Sequence, residues 1–139
     1  MTNFITPEGL KNLDNYKYKP GVWTTIEDGL QPYWTYTASL VPDWVAPNLI
    51  TFSGLLLLLS SCLILIFYDA TRNHEIPNWC FFYSAFCLWG YHTLDAIDGK
   101  HARRTNSSSA LGQLFDHGCD AFSVALLQLT LIFGGQLNN

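Results

Sequence analysis

From Pro47 to Tyr68 the chain carries no formally charged residue, and within that block runs LLLLLSSCLILIF. As an α-helix the block would reach about 33 Å, enough to cross a hydrocarbon core. Lipid offers the backbone no hydrogen-bond partner, so such a stretch reads as a membrane-spanning helix. Two more apolar blocks follow. Ile76 to Leu94 is rich in Phe, Trp and Leu, and Ala121 to Leu137 closes the apolar pattern. Of 139 residues, 49% are hydrophobic and only 13% charged, which sets the chain apart from an ordinary water-soluble domain. The expectation is an all-α, polytopic membrane protein with three transmembrane helices, at about 47–68, 76–103 and 109–137. They follow an amphipathic amino-terminal segment, 1–46, and make up a membrane domain, 47–139.

The amino-terminal segment is polar and lacks an apolar h-region, so a cleaved signal peptide is not expected. It carries many aromatics: Tyr16, Tyr18, Trp23, Tyr33, Trp34, Tyr36 and Trp44. Gly29 to Leu40 suits a short helix at the membrane surface with Trp34 and Trp44 at headgroup level. A small soluble cap with an aromatic core suits it too. Apart from Arg72, every Lys and Arg falls in this segment or in the loop after the second span, which places both on the cytosolic side. The four cysteines, Cys62, Cys80, Cys87 and Cys119, show no disulfide-like spacing and read as small buried side chains. No basic, aromatic-interleaved patch points to nucleic acid.

Between the second and third blocks lies DAIDGKHARRTNSSSALGQLFDHGCD, from Asp95 to Asp120. Asp95 and Asp98 are spaced i, i+3, and Asp116 and Asp120 i, i+4, so each pair occupies one helix face. The polar run Thr105 to Ser109 supplies N-cap residues for a new helix. Two antiparallel helices joined there would bring all four carboxylates to one depth, about 10 Å from the turn. Such a cluster repels itself, and each acid in a membrane helix costs roughly 2.5–3.5 kcal/mol on insertion scales. Hard oxygen ligands point to Mg2+ or Mn2+, whereas Cys119, His101 and His117 lack recognised zinc spacing. The bland alternative pairs the acids with Arg103 and Arg104. Gly99, Ala102 and Gly112, almost without side chains, would let a bulky ligand approach the backbone or let helices pack closely.

Written as DxxDGxxARx8Gx3Dx3D, this stretch resembles the signature of the CDP-alcohol phosphotransferases at Asp95, Asp98, Gly99, Ala102, Arg103, Gly112, Asp116 and Asp120. Its wording, and that of WVAPNLITFSG from Trp44 and NYKY from Asn15, resembles the choline/ethanolamine phosphotransferase branch. The resemblance implies a partial CDP-alcohol phosphotransferase fold in an endoplasmic reticulum or Golgi membrane. The implied reaction moves phosphocholine or phosphoethanolamine from CDP-choline or CDP-ethanolamine to diacylglycerol, releasing CMP, with choline versus ethanolamine left open. Asp95, Asp98, Asp116 and Asp120 would hold metal, with Asp95 and Asp116 serving two ions. Asn48, Gly99, Ala102, Arg103 and Gly112 would contact the CDP-alcohol. Asn48 is the residue the likeness favours as a ligand contact, although on sequence alone Asn48, Thr51 and Gly54 suit a helix start, an intrahelical bond and close packing. His117 is the candidate proton acceptor and Asp120 the alternative, since a carboxylate on a divalent cation makes a poor base.

Other acceptors, a membrane prenyltransferase and an ion path are weaker alternatives. Members of the family carry more helices than three, so a truncated, inactive product acting as a structural or interaction protein is the chief alternative. The same comparison implies association with itself, or with a partner that supplies helices, and little turnover by this chain alone.

Overall fold

The computed structural model describes residues 6–14, 24–71 and 76–135. Those residues form five helices: α1 Pro7–Asp14, α2 Thr25–Leu40, α3 Pro47–Thr71, α4 Asn78–Arg104 and α5 Ala110–Gly134. No strand occurs among them. The NYKY stretch, Trp23, Lys17, Lys19 and Arg72 lie outside the described residues.

The helix expected from Gly29 begins four residues earlier because Thr24 and Glu27 form a capping box. The Glu27 carboxylate accepts from the Thr24 backbone N–H at 2.7 Å and from its hydroxyl at 2.8 Å. The Thr24 hydroxyl in turn accepts from the Glu27 N–H at 3.4 Å. The backbone N–H of Thr24 holds the Glu27 carboxyl below the usual carboxylate range. Trp34 packs inward on the helices. One helical turn from Ala38, it is buried with Ile50 and Ile97 where α2 lies on α4. Trp44, by contrast, is 83% exposed.

Helix α3 is the hub: α4 and α5 both pack along it, while the backbones of α4 and α5 stand apart and meet through side chains. The α3–α4 seam is close because small residues allow it. A methyl group at Gly90 would lie 3.0 Å from Leu57 Cδ1. Hydroxyls pair across the seam, Ser60 with Tyr83 at 2.9 Å and Ser61 donating to Ser84 at 2.8 Å. All four cysteines are free and buried.

Two helices are long and apolar enough to cross a membrane, Pro47–Asp69 with mean hydropathy 2.5 and Ala110–Gly134 with mean hydropathy 1.3. Only 39% and 11% of these apolar stretches are buried, far from the covered state of a soluble core helix. Helix α4 does not meet the same standard, and Asp95, Asp98, Lys100, Arg103 and Arg104 fill its final turns.

The chain reverses between α4 and α5 through a Schellman closure. The Ser107 N–H donates to Ala102 O at 2.9 Å and the Asn106 N–H to Arg103 O at 3.4 Å. Asn106 takes φ 53, a left-handed conformation that asparagine tolerates better than most residues. Ser109 then caps α5, its hydroxyl accepting from the Gly112 N–H at 3.0 Å.

Candidate metal centre

The last turns of α4 carry Asp95 and Asp98, and the first turns of α5 carry Asp116 and Asp120. Asp95, Asp98 and Asp116 each place a carboxylate oxygen within 4.8 Å of the others, and Asp116, His117 and Asp120 form a second group at the same spacing. Asp116 belongs to both groups, whereas Asp95 belongs to the first alone. The carboxylates meet beside an open cavity of about 480 Å³, within the range of small-molecule sites.

The basic residues do not neutralise this cluster in the way an ion-pair reading requires. Arg104 pairs with Asp43 at 2.8 Å and also donates to the Val41 carbonyl. Lys100 donates to Gln31 Oε1 at 2.6 Å and to Thr35 Oγ1 at 3.3 Å, fastening α4 to α2. Arg103 lines the cavity, with Nη1 3.4 Å from where a Gly99 side chain would begin. Meanwhile Asp116 Oδ1 is buried without a hydrogen-bond donor. An orphaned, buried carboxylate oxygen among other carboxylates fits a hard divalent cation, so the residues present suit Mg2+ or Mn2+.

Asn48 and Gly112 also line the cavity and face each other: a methyl at Gly112 would lie 3.4 Å from Asn48 Oδ1 and 3.1 Å from Ser109 Oγ. Ala102 lies on the same wall. His117 opens to the cavity with its side chain 64% exposed, and its Nδ1 is 3.7 Å from Asp120 Oδ2. His101, in contrast, is wholly buried. Its Nδ1 faces Arg104 at 3.2 Å, and a guanidinium only donates, so Nε2 carries the proton toward the Val45 carbonyl at 2.8 Å. His101 therefore ties α4 to the segment before α3 and is not a ligand.

Two contacts escaped the sequence reading. The Thr51 hydroxyl, which also lies within reach of Pro47 O on its own helix, turns its one hydrogen to Asp98 Oδ2 on α4. The Tyr91 hydroxyl donates to Asp120 Oδ1 at 3.1 Å. Tyr91 precedes Asp95 by one turn, so its place on the acidic face of α4 was available from spacing. The partner on α5 was not.

Helices of membrane-spanning length that gather four carboxylates beside a cavity define a helical protein with a candidate divalent-metal centre. Over residues 44–138 the sequence matches CDP-alcohol phosphatidyltransferase, and the chain belongs to that family. It is 49% identical over 118 residues, 85% of this chain, to cholinephosphotransferase 1 of Danio rerio. Matches to cholinephosphotransferase 1 of Xenopus laevis, 45% over 128 residues and 92% of this chain, and of Homo sapiens, 45% over 118 residues and 85%, are similar. The chain spans 31%, 32% and 29% of those three relatives, about a third of their length.

Proposed function

We propose that this stretch of chain carries the metal and CDP-alcohol site of a transferase that moves phosphocholine from CDP-choline to diacylglycerol and releases CMP. The observation that carries the reading is the meeting of four carboxylates, with a buried orphan oxygen on Asp116, in a chain of this family. The choline assignment rests on the relatives' names, and ethanolamine is the competing head group.

Asp95, Asp98, Asp116 and Asp120 would hold the metal. When bound, a divalent cation would offset the charge of the carboxylates and of the substrate pyrophosphate. Arg103, folded back over Gly99, offers the planar pair of N–H donors that suits a phosphate. Gly99, Ala102 and Gly112 leave the cavity wall low, and Asn48 presents its amide opposite Gly112. The acceptor hydroxyl oxygen bonds to the outer phosphorus as the bond from that phosphorus to the CMP oxygen breaks. CMP leaves with the electron pair. His117 takes the hydroxyl proton at Nε2, since Nδ1 is turned toward Asp120.

In this reading α4 is a third span beside α3 and α5. Its Phe82, Phe86 and Trp89 form an exposed stripe at i, i+4 and i+7, as a lipid-facing side would. Residues 1–46 then form a cytosolic or interfacial segment and 47–139 the membrane domain. The loop from Lys100 to Ser109 faces the cytosol of an endoplasmic reticulum or Golgi membrane. The exposed apolar face of α5 suits further helices, from another copy or from a partner.

A chimera tests this. With residues 44–138 in place of the matching stretch of the zebrafish relative, CMP release from CDP-choline should require both Mg2+ and diacylglycerol. A chimera that stays silent while the unmodified zebrafish protein works contradicts the assignment, and faster release from CDP-ethanolamine moves the head group.

A further inference from the structure

We propose that Tyr91 is the positioning residue for Asp120, and that Gly54 is the seat that lets it reach. This rests on reading Asp120 as a metal ligand. Asp120 stands on α5, its side chain is 40% exposed, and the backbone of its helix stands apart from α4. A carboxylate so placed needs something to set its rotamer, and His117 at 3.7 Å is beyond hydrogen-bond reach. Tyr91 supplies the bond from α4, donating to Oδ1 at 3.1 Å. Oδ1 is thereby engaged, and Oδ2 is the oxygen turned toward His117 and the group it forms with Asp116.

The ring gets there by crossing α3. A methyl at Gly54 would stand 3.3 Å from Tyr91 Cδ2 and 3.5 Å from Leu94 Cβ, tight enough that the ring or the helix must shift. One side chain thus belongs to α4, rests on α3 and holds a carboxylate on α5. Because α4 and α5 both lean on α3, the bond fixes the distance between the two carboxylate pairs. Ligands oriented by an outer hydrogen bond lose affinity when that bond is removed, because the oxygen must then be ordered by the ion itself.

The full chain in lipid nanodiscs, titrated with Mn2+ and followed by electron paramagnetic resonance, separates this from simple packing. Tyr91→Phe keeps the ring and should weaken Mn2+ by about tenfold, within the usual range for such outer partners. Its metal-free melting temperature should match that of the parent. Gly54→Ala should weaken Mn2+ in the same direction, and unchanged affinity there removes the seat from the proposal. Tyr83→Phe is the control, since that hydroxyl also bridges two helices but bonds Ser60, far from the acids. An equal loss in Tyr83→Phe would mark general packing and overturn the inference. Parent-like affinity in Tyr91→Phe, with affinity lost in Asp120→Asn, overturns the inference alone. Parent-like affinity in Asp120→Asn overturns the ligand reading and this inference with it.

Discussion

Asp116→Asn is expected to lower Mn2+ affinity by more than about 100-fold, beyond the loss usual for an outer partner, and to abolish CMP release in the chimera. Asp116 belongs to both clusters, and its buried Oδ1 has no donor to satisfy it. Asparagine fits the same space but removes the charge and turns one oxygen into a donor. Asp95→Asn and Asp98→Asn should cost less, because each touches one cluster and Asp98 is also held by Thr51. The metal-free protein should change in the opposite sense. Removing one carboxylate from a crowd of four relieves repulsion, so Asp116→Asn should melt higher than the parent without metal. Titration of the three variants side by side checks the ranking, and equal affinities would remove Asp116 from its shared position.

His117→Ala in the chimera is expected to slow turnover by about 10²–10⁴-fold, the usual contribution of a general base. Mn2+ affinity should fall much less than in Asp116→Asn. A base acts in the chemical step, so the loss should fall on turnover and leave CDP-choline affinity largely intact. Rate measurements with saturating Mg2+ and CDP-choline make the comparison. A parent-like rate would return the proton to Asp120 or water. A metal loss as large as that of Asp116→Asn would make His117 a ligand.

The three long helices were legible in the chain because apolar length is a local property: each holds most of one charge-free block, although α4 runs on through its acids to Arg104 and α5 begins at Ala110, well before Ala121. The meeting of the acids was legible too: i, i+3 and i, i+4 spacing on either side of a polar turn leaves one face for each pair. Its family was readable from fixed residues in the same stretch, and the match over residues 44–138 bears that out.

What the chain did not disclose is which helix supports which. A hairpin reading makes α4 and α5 neighbours, yet they lean on α3 and leave an open cavity beside the acids. That arrangement depends on Gly54, Gly90 and the serine seam, whose partners are 23 or more residues away and invisible to periodicity. The burial of Trp34 was hidden for a related reason. An aromatic near a membrane start suits the interface, and only the packing of α2 on α4, fastened by Lys100 to Gln31, turns it inward. Thr51 and Tyr91 were similarly hidden, because a hydroxyl reveals its role only when its acceptor is in place.

Phosphorus-31 electron–nuclear double resonance on Mn2+ bound to this chain, recorded with CDP-choline, tests the central claim without any need for turnover. Phosphorus couplings from the substrate pyrophosphate are expected in the parent chain, and their loss is expected in Asp116→Asn. Mn2+ that keeps its free aqueous spectrum in the presence of both chain and CDP-choline would contradict the claim.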